Sequence, residues 1–254
     1  MPKVITVVNQ KGGVGKTTTA VNLSAGLAVL EKRTLLIDFD PQGNATSGVG
    51  IDKDKVELQI YDALIGRAPI EKTILSTATK NLFCIPGNIN LTGAEIELVH
   101  EFAREQKLKE ALQPILNTFD YIIIDCPPSL GLLTVNAMTA AMEVLIPIQC
   151  EYYALEGVSQ LLTTIRLIQK NLNPGLNILG VLLTMFDKRV NLSLQVAKEV
   201  HRYFKEKVFR TIIPRNIKLT EAPGFGKPIF LYDIRSPGAM SYLNLANEVI
   251  NRSE

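Results

Sequence analysis

The sequence predicts an α/β fold of three layers, with a mainly parallel twisted sheet covered by helices on both faces. Two observations carry this. Short apolar runs rich in Val and Ile alternate with longer stretches whose apolar residues recur at helical spacing. Three of the apolar runs end in a glycine cluster or an aspartate, at the strand ends where open parallel sheets bind their ligands. A chain of 254 residues is long enough to bury one large core of this kind.

Taken in order, the runs place strands at 4–8, 34–37, 82–85, 121–124, 144–148, 178–184 and 208–213. Helices are expected at 16–30, 56–65, 93–116, 131–140, 155–171, 190–206 and 238–251. The first strand, Val4 to Val8, leads into Lys11-Gly12-Gly13-Val14-Gly15-Lys16-Thr17-Thr18, and Ala20, Leu23, Leu27 and Leu30 follow at helical spacing. Strand, glycine loop and helix are the context of a phosphate-binding loop. Glycines let successive N–H groups turn inward toward phosphate oxygens, and the positive end of the helix adds to the attraction. In such a loop Lys16 reaches the β- and γ-phosphates and the Thr17 hydroxyl ligates Mg²⁺.

The second strand ends in Asp38-Phe39-Asp40-Pro41-Gln42-Gly43-Asn44. Carboxylates at i and i+2 leave a strand on the same side. Beside a triphosphate they need a reason, which Mg²⁺ or water activation supplies. Tyr121-Ile122-Ile123-Ile124-Asp125 has the form of a buried strand delivering a carboxylate to the Mg²⁺ shell. Cys126-Pro127-Pro128-Ser129-Leu130-Gly131 follows, with two prolines to stiffen a bend and a glycine to hinge it, as suits a γ-phosphate-sensing switch.

Composition narrows the class. Hydrophobic residues at 46% and charged residues at 20% fit an ordinary soluble globule, expected in the cytoplasm. The start runs directly into the first strand, so no signal peptide is expected, and no apolar run reaches the ~18 residues of a membrane span. Cys84, Cys126 and Cys150 each sit in or beside an apolar run and read as reduced and buried. Net charge is only +2, yet residues 188–227 hold ten lysines and arginines against three acids, a distribution that suits a polyanion.

The loop departs from the usual phosphate-loop pattern: Gln10 stands where the first glycine would, and Lys11 opens the loop. This K-G-G-x-G-K-[ST] form resembles the deviant Walker A family, which includes ParA, MinD, the nitrogenase iron protein and arsenite-pump ATPases. Residues 38–44 resemble the D-x-D-P-Q-[GA]-N motif of ParA proteins, and Pro127-Pro128-Ser129 the family's P-P-S-x-G segment. Residues 220–229, Thr220-Glu221-Ala222-Pro223 through Gly226-Lys227-Pro228-Ile229, resemble its S-E-A-P-x-x-G-K-P-[IV] segment, with Thr220 replacing Ser. The resemblance spans Val4 to about Val249 and is to the short Soj-like type. It implies one P-loop ATPase domain over 1–254 without an N-terminal helix-turn-helix domain.

The resemblance implies roles for residues that spacing alone does not assign. ATP and Mg²⁺ are the implied cofactors. Gly12, Gly13, Val14, Gly15, Lys16, Thr17 and Thr18 cradle the phosphates, and Lys11 reaches those of a partner subunit in a nucleotide-sandwich homodimer. Asp40 orients or deprotonates the attacking water, so Lys11, Lys16 and Asp40 form the catalytic set. Thr17, Asp38 and Asp125 serve the metal, Asp38 from its second shell. Met185 packs on one face of the adenine, with Pro214, Arg215 and Asn216 from the next strand end on the other side. Arg189, Lys198, Arg202 and Lys218 bind double-stranded DNA without sequence preference. Lys198, Arg202 and Lys205 recur at helical spacing and share a face. Gln149 to Gly157 resembles a dimer-face segment, although Tyr152 and Tyr153 suit the core equally.

The expected function is a partition ATPase whose ATP-bound dimer coats DNA and is released by a ParB-like centromere-binding partner that stimulates hydrolysis. A MinD-like membrane ATPase is the alternative. It would end in a basic amphipathic helix, and the tail Asn247–Glu254 has one basic and two acidic residues, so no membrane partner is expected. A biosynthetic ligase or an iron–sulfur protein could use the same fold, but the sequence offers neither an evident substrate pocket nor a pair of cysteine ligands.

Overall fold

The computed structural model describes residues 2–151 and 156–253. Its strands are β1 (Lys3–Val7), β2 (Thr34–Asp38), β3 (Leu75–Ser76), β4 (Leu82–Ile85), β5 (Tyr121–Asp125), β6 (Glu143–Gln149) and β7 (Asn177–Thr184). Among the described residues they form one sheet in the order β3-β4-β2-β5-β1-β6-β7, parallel throughout except for β3. The central strands are buried on both faces, which is why they read as continuous apolar runs rather than alternating ones.

Register decides where the chemistry lands. Val7 pairs with Asp125 across β1 and β5, and Asp38 pairs with Asp125 across β2 and β5. Both aspartates therefore arrive side by side at the carboxyl edge of the sheet, next to the loop that leaves β1.

Successive side chains point to opposite faces, and each face has its own core. Ile5, Val7, Leu36 and Ile123 meet α1 (Lys16–Val29), α2 (Asn44–Gly48), α9 (Ile217–Glu221), α10 (Ile229–Tyr232) and α11 (Pro237–Ser253). Val4, Leu35, Ile37 and Ile122 meet α3 (Ile60–Leu64), α4 (Leu91–Glu97), α5 (Lys107–Leu112), α6 (Leu132–Ala140), α7 (Glu156–Asn171) and α8 (Asn191–Phe204). Helix α1 is buried nearly all round. A Cβ on Gly26 would stand 3.1 Å from the Ala246 Cβ and 3.2 Å from the Tyr242 carbonyl, so α1 and α11 cross at close range. The helix behind the glycine loop is thus held on a rigid support.

Three expected elements differ. The helix expected over 56–65 is confined to Ile60–Leu64, where Gln59 and Asp62 form a capping box. The helix expected over 93–116 is broken into α4, α5 and short 3₁₀ turns, with Ala103 at φ 50° between them and Pro114 opening the last turn. The strand expected at 208–213 makes only an isolated bridge, Val181 with Val208, and a second bridge joins Phe186 to Pro214 just beyond the run. Its backbone is diverted: the Glu248 carboxylate accepts the N–H groups of Arg210 (2.8 Å) and Thr211 (2.9 Å), while Phe209 and Ile213 bond to β7 carbonyls. A side chain from α11 takes the place of a ladder partner, which local apolarity cannot reveal.

Candidate nucleotide-binding site

The glycine loop is anchored before it is charged. Asn9, at 4% exposure, donates through Nδ2 to the Pro147 carbonyl of β6 at 2.8 Å and accepts the Lys11 N–H at 3.0 Å. Thr184, at the end of β7, donates its hydroxyl to the Val14 carbonyl at 2.9 Å. Gly13 and Gly15 adopt φ of 76° and 87°, left-handed values that glycine takes without strain. Asn9 was not singled out from sequence, nor was the bond by which Thr184 holds the loop. An amide beside a glycine loop is a weak signal, and Thr184 comes from a strand 170 residues away.

Lys16 is 6% exposed and donates to the Lys11 carbonyl at 3.1 Å. Burial lowers its ammonium below the usual lysine range, with Asp125 and Asp40 pulling the other way. Lys11 lies outside this buried group. Its Nζ is 3.8 Å from Glu151 Oε2, and Arg215 Nη2 is 3.9 Å from Glu151 Oε1, so Glu151 lies between the loop and the later strand end.

The three carboxylates have distinct settings. Both Asp125 oxygens are buried and accept no hydrogen bond of good geometry, although the Thr17 hydroxyl lies close enough to lower the acid's pKa. Burial, and then neighbouring Asp38, nevertheless hold it well above the usual range. Asp38 is fully buried and fully partnered: Oδ2 accepts the Thr46 N–H at 2.7 Å and hydroxyl at 2.6 Å, and Oδ1 accepts the Asp40 N–H at 3.3 Å. Burial pushes it up to about 6 despite these donors. Asp40 is 7% exposed and accepts the Gln42 N–H at 2.9 Å, bracing the Pro41–Gly43 turn.

A cavity of about 430 Å³ opens beside Gly15 and Thr18. Its walls include Met185, Pro214, Arg215 and Asn216, the four residues expected around an adenine, together with Thr184, Ile213 and Tyr242. Met185 takes φ 50°, a left-handed conformation uncommon outside glycine, where β7 turns away from the sheet. Asn216 caps α9 by accepting the Leu219 N–H at 3.3 Å. A base-sized apolar pocket thus adjoins a phosphate-sized loop.

A family model described as an AAA domain matches residues 2–178, through the glycine loop and all three aspartates. The sporulation initiation inhibitor protein Soj of Bacillus subtilis is 61% identical over 98% of both chains. The chromosome partitioning protein ParA of Myxococcus xanthus is 57% identical over 98% of this chain and 88% of its own. The chain belongs to the Soj/ParA family of chromosome-partitioning ATPases. A structure of a Mycobacterium smegmatis protein titled cobyrinic acid a,c-diamide synthase, with bound ADP and magnesium, superposes with a TM-score of 0.89. It covers 100% of this chain and 96% of its own, at 38% identity.

The Soj/ParA basic residues are scattered and differently engaged. Arg189, in the loop before α8, is paired in a fork to Asp187 through Nε (2.9 Å) and Nη2 (2.7 Å), which holds the Asp187 carboxyl well below the usual range. Lys218 on α9 contacts Glu221 at 2.9 Å. Lys198 and Arg202 are exposed on α8. Lys205 does not continue their face: it is the C-cap of α8, at φ 50°. Tyr152 and Tyr153 of the expected dimer-face segment lie outside the described residues, while helix α7 does open at Glu156.

Cys84, Cys126 and Cys150 are free and buried. Among the described residues no group of His, Cys, Asp and Glu could hold a metal by itself, and no helix is long and apolar enough to cross a membrane.

Proposed function

We propose that this chain is a partition ATPase that binds ATP with Mg²⁺, pairs into a nucleotide-sandwich dimer, grips DNA in that state, and lets go on hydrolysis. The observation that carries the reading is the meeting of the glycine loop, the base-sized cavity and the unpartnered Asp125 carboxylate at one sheet edge. A buried carboxylate with two bare oxygens beside Thr17 fits a hydrated divalent cation. Thr17 would hold that ion directly and Asp125 would hold its waters. When bound, the ion supplies charge neutralisation for the triphosphate.

The chain's own groups supply the rest. Loop N–H groups and the desolvated Lys16 ammonium grip the β- and γ-phosphates. Asp40 orients water for in-line attack on the γ-phosphorus. The bond to the bridging oxygen breaks, ADP departs with that electron pair, and the water's proton passes to Asp40 or to the new phosphate. Lys11, half-buried beside Glu151 and outside the Lys16 cluster, is available to a second subunit. ATP then acts as the ligand that selects the paired, DNA-gripping form, and a ParB-like partner shortens its life by stimulating hydrolysis. Arg189, Lys198, Arg202 and Lys218 are the proposed phosphate contacts to DNA. The protein acts as a single domain on the nucleoid, in the cytoplasm.

A ligase reading takes support from the mycobacterial structure described as a cobyrinic acid a,c-diamide synthase, at 38% identity. The 61% identity to Soj over 98% of both chains favours partition. The test is a DNA-binding titration with ATP, ADP and no nucleotide at two salt concentrations. Binding confined to ATP and falling steeply with salt is expected; equal binding in all three states, or none with ATP, refutes the reading.

A further inference from the structure

We propose that Thr46 is a positioning residue for hydrolysis, locking Asp38 so that Asp38 in turn holds the backbone of Asp40 toward the γ-phosphate. The inference rests on the ATP-hydrolysis reading above and adds a residue to its machinery.

The geometry is specific. Thr46 is fully buried on α2, eight residues after Asp38. It places two donors on one carboxylate oxygen: its N–H at 2.7 Å and its hydroxyl at 2.6 Å, both onto Asp38 Oδ2. The hydroxyl's direction is not free. The Gly87 N–H donates into the Thr46 oxygen at 3.0 Å, so the single hydroxyl proton is left to point at Asp38. The other acceptor in reach, the Gly87 carbonyl at 3.4 Å, is far longer. Short donors onto a buried ionisable acid are the strong kind, and two of them on one oxygen stop the carboxylate from rotating. The remaining oxygen, Oδ1, is then fixed beneath the Asp40 N–H.

The surroundings leave no slack. A Cβ on Gly87 would stand 2.2 Å from the Asp38 carbonyl, so the end of β4 is pressed against the end of β2 where Thr46 joins them. Thr46 is thus bonded both to Asp38 at the end of β2 and to Gly87 just beyond β4. A residue needed only to fill space would require none of these donors. Thr46 is not among the residues that line the expected base cavity. Its effect should therefore fall on turnover and not on nucleotide affinity.

The experiment compares Thr46→Val, Thr46→Ser and wild type in steady-state ATP hydrolysis with Mg²⁺, alongside ADP–Mg²⁺ binding. Thr46→Val keeps the shape and removes the hydroxyl. Its kcat should fall about tenfold or more, within the range a positioned base contributes, with KM and ADP affinity within about twofold of wild type. Thr46→Ser should return kcat to within about threefold. Asp38→Asn alone and combined with Thr46→Val should be equally slow, within about twofold, because Thr46 acts through Asp38. Unchanged kcat in Thr46→Val, equal losses in the Ser and Val variants, or multiplying losses in the double variant each overturn the proposal. Should Thr46→Val fail to fold, Thr46→Ala replaces it, and a kcat equal to that of Thr46→Ser overturns it. Wild type without Mg²⁺–ATP turnover sinks the hydrolysis reading and this inference together; turnover indifferent to Thr46 sinks the inference alone.

Discussion

Asp125→Asn separates the cost of burying this acid from the gain that ADP–Mg²⁺ brings to it. The Asp125 oxygens are buried without a hydrogen-bond partner of good geometry and stand beside Asp38 across the β2–β5 register. An uncompensated buried charge costs on the order of 3–5 kcal/mol. Lys16 nearby and partial protonation reduce this, so about 1–3 kcal/mol is expected for replacing the acid by its neutral isostere. For a chain of this size that is a rise in Tm of about 3–10 °C without ligand. The sign with pH follows from the raised pKa. The folded acid binds a proton more readily than the unfolded one, so its favourable contribution is present below the unfolded value of about 4 and is lost as pH rises through the folded value. The advantage of Asp125→Asn should therefore grow from acid to neutral pH.

Nucleotide reverses the order. Wild type at about 100 times the Kd of ADP–Mg²⁺ gains about 2.7 kcal/mol, while the variant has lost the acceptor for the ion's waters and gains less. Thermal unfolding of both proteins, with and without ADP–Mg²⁺ and from pH 5 to 8, reads all of this. A variant no more stable than wild type without ligand, or one that gains as much from ADP–Mg²⁺, would refute the reasoning.

Lys16→Ala should lose nucleotide binding by at least about a hundredfold in titration calorimetry while staying folded, since the ammonium it removes is desolvated by burial. Lys11→Ala should bind ATP as a monomer but fail to pair, so light scattering should report a single mass with ATP present. Asp40→Ala should bind ATP and DNA but turn over at least about a hundredfold more slowly, persisting on DNA in a release assay. Arg189→Glu should weaken DNA binding and flatten its salt slope by about one, although its guanidinium must first leave Asp187. Arg202→Glu, on an arginine without such a fork, should act at least as strongly if α8 faces DNA; a larger effect at Arg189 would place the contact in the preceding loop.

The site divides into parts that were legible and parts that were not. The glycine loop, Asp38, Asp40 and Asp125 were readable because each is a local pattern: a strand by its apolar run, then the group at its carboxyl end. The base-side residues were named from family resemblance alone, and the cavity brings Met185, Pro214, Arg215 and Asn216 together with Gly15 and Thr18. Asn9 and Thr46 were missed, as was the bond by which Thr184 of the adenine-side strand end holds the glycine loop. Each is an ordinary polar residue whose importance comes from a partner distant in sequence: Pro147, Gly87 and Val14. Glu248 was missed for the same reason, and with it the loss of the expected strand at 208–213.

Order along the chain by itself determined the alternating elements, the phosphate loop and the acids, because backbone periodicity and glycine chemistry act over a few residues. Only the tertiary structure decided how those acids differ. Strand register put Asp38 and Asp125 side by side, and then gave Asp38 three well-aligned donors and Asp125 none of good geometry. Two aspartates that read alike in the sequence are electrically distinct in the fold, because burial raises the cost of a bare charge and only contacts across the sheet edge can offset it.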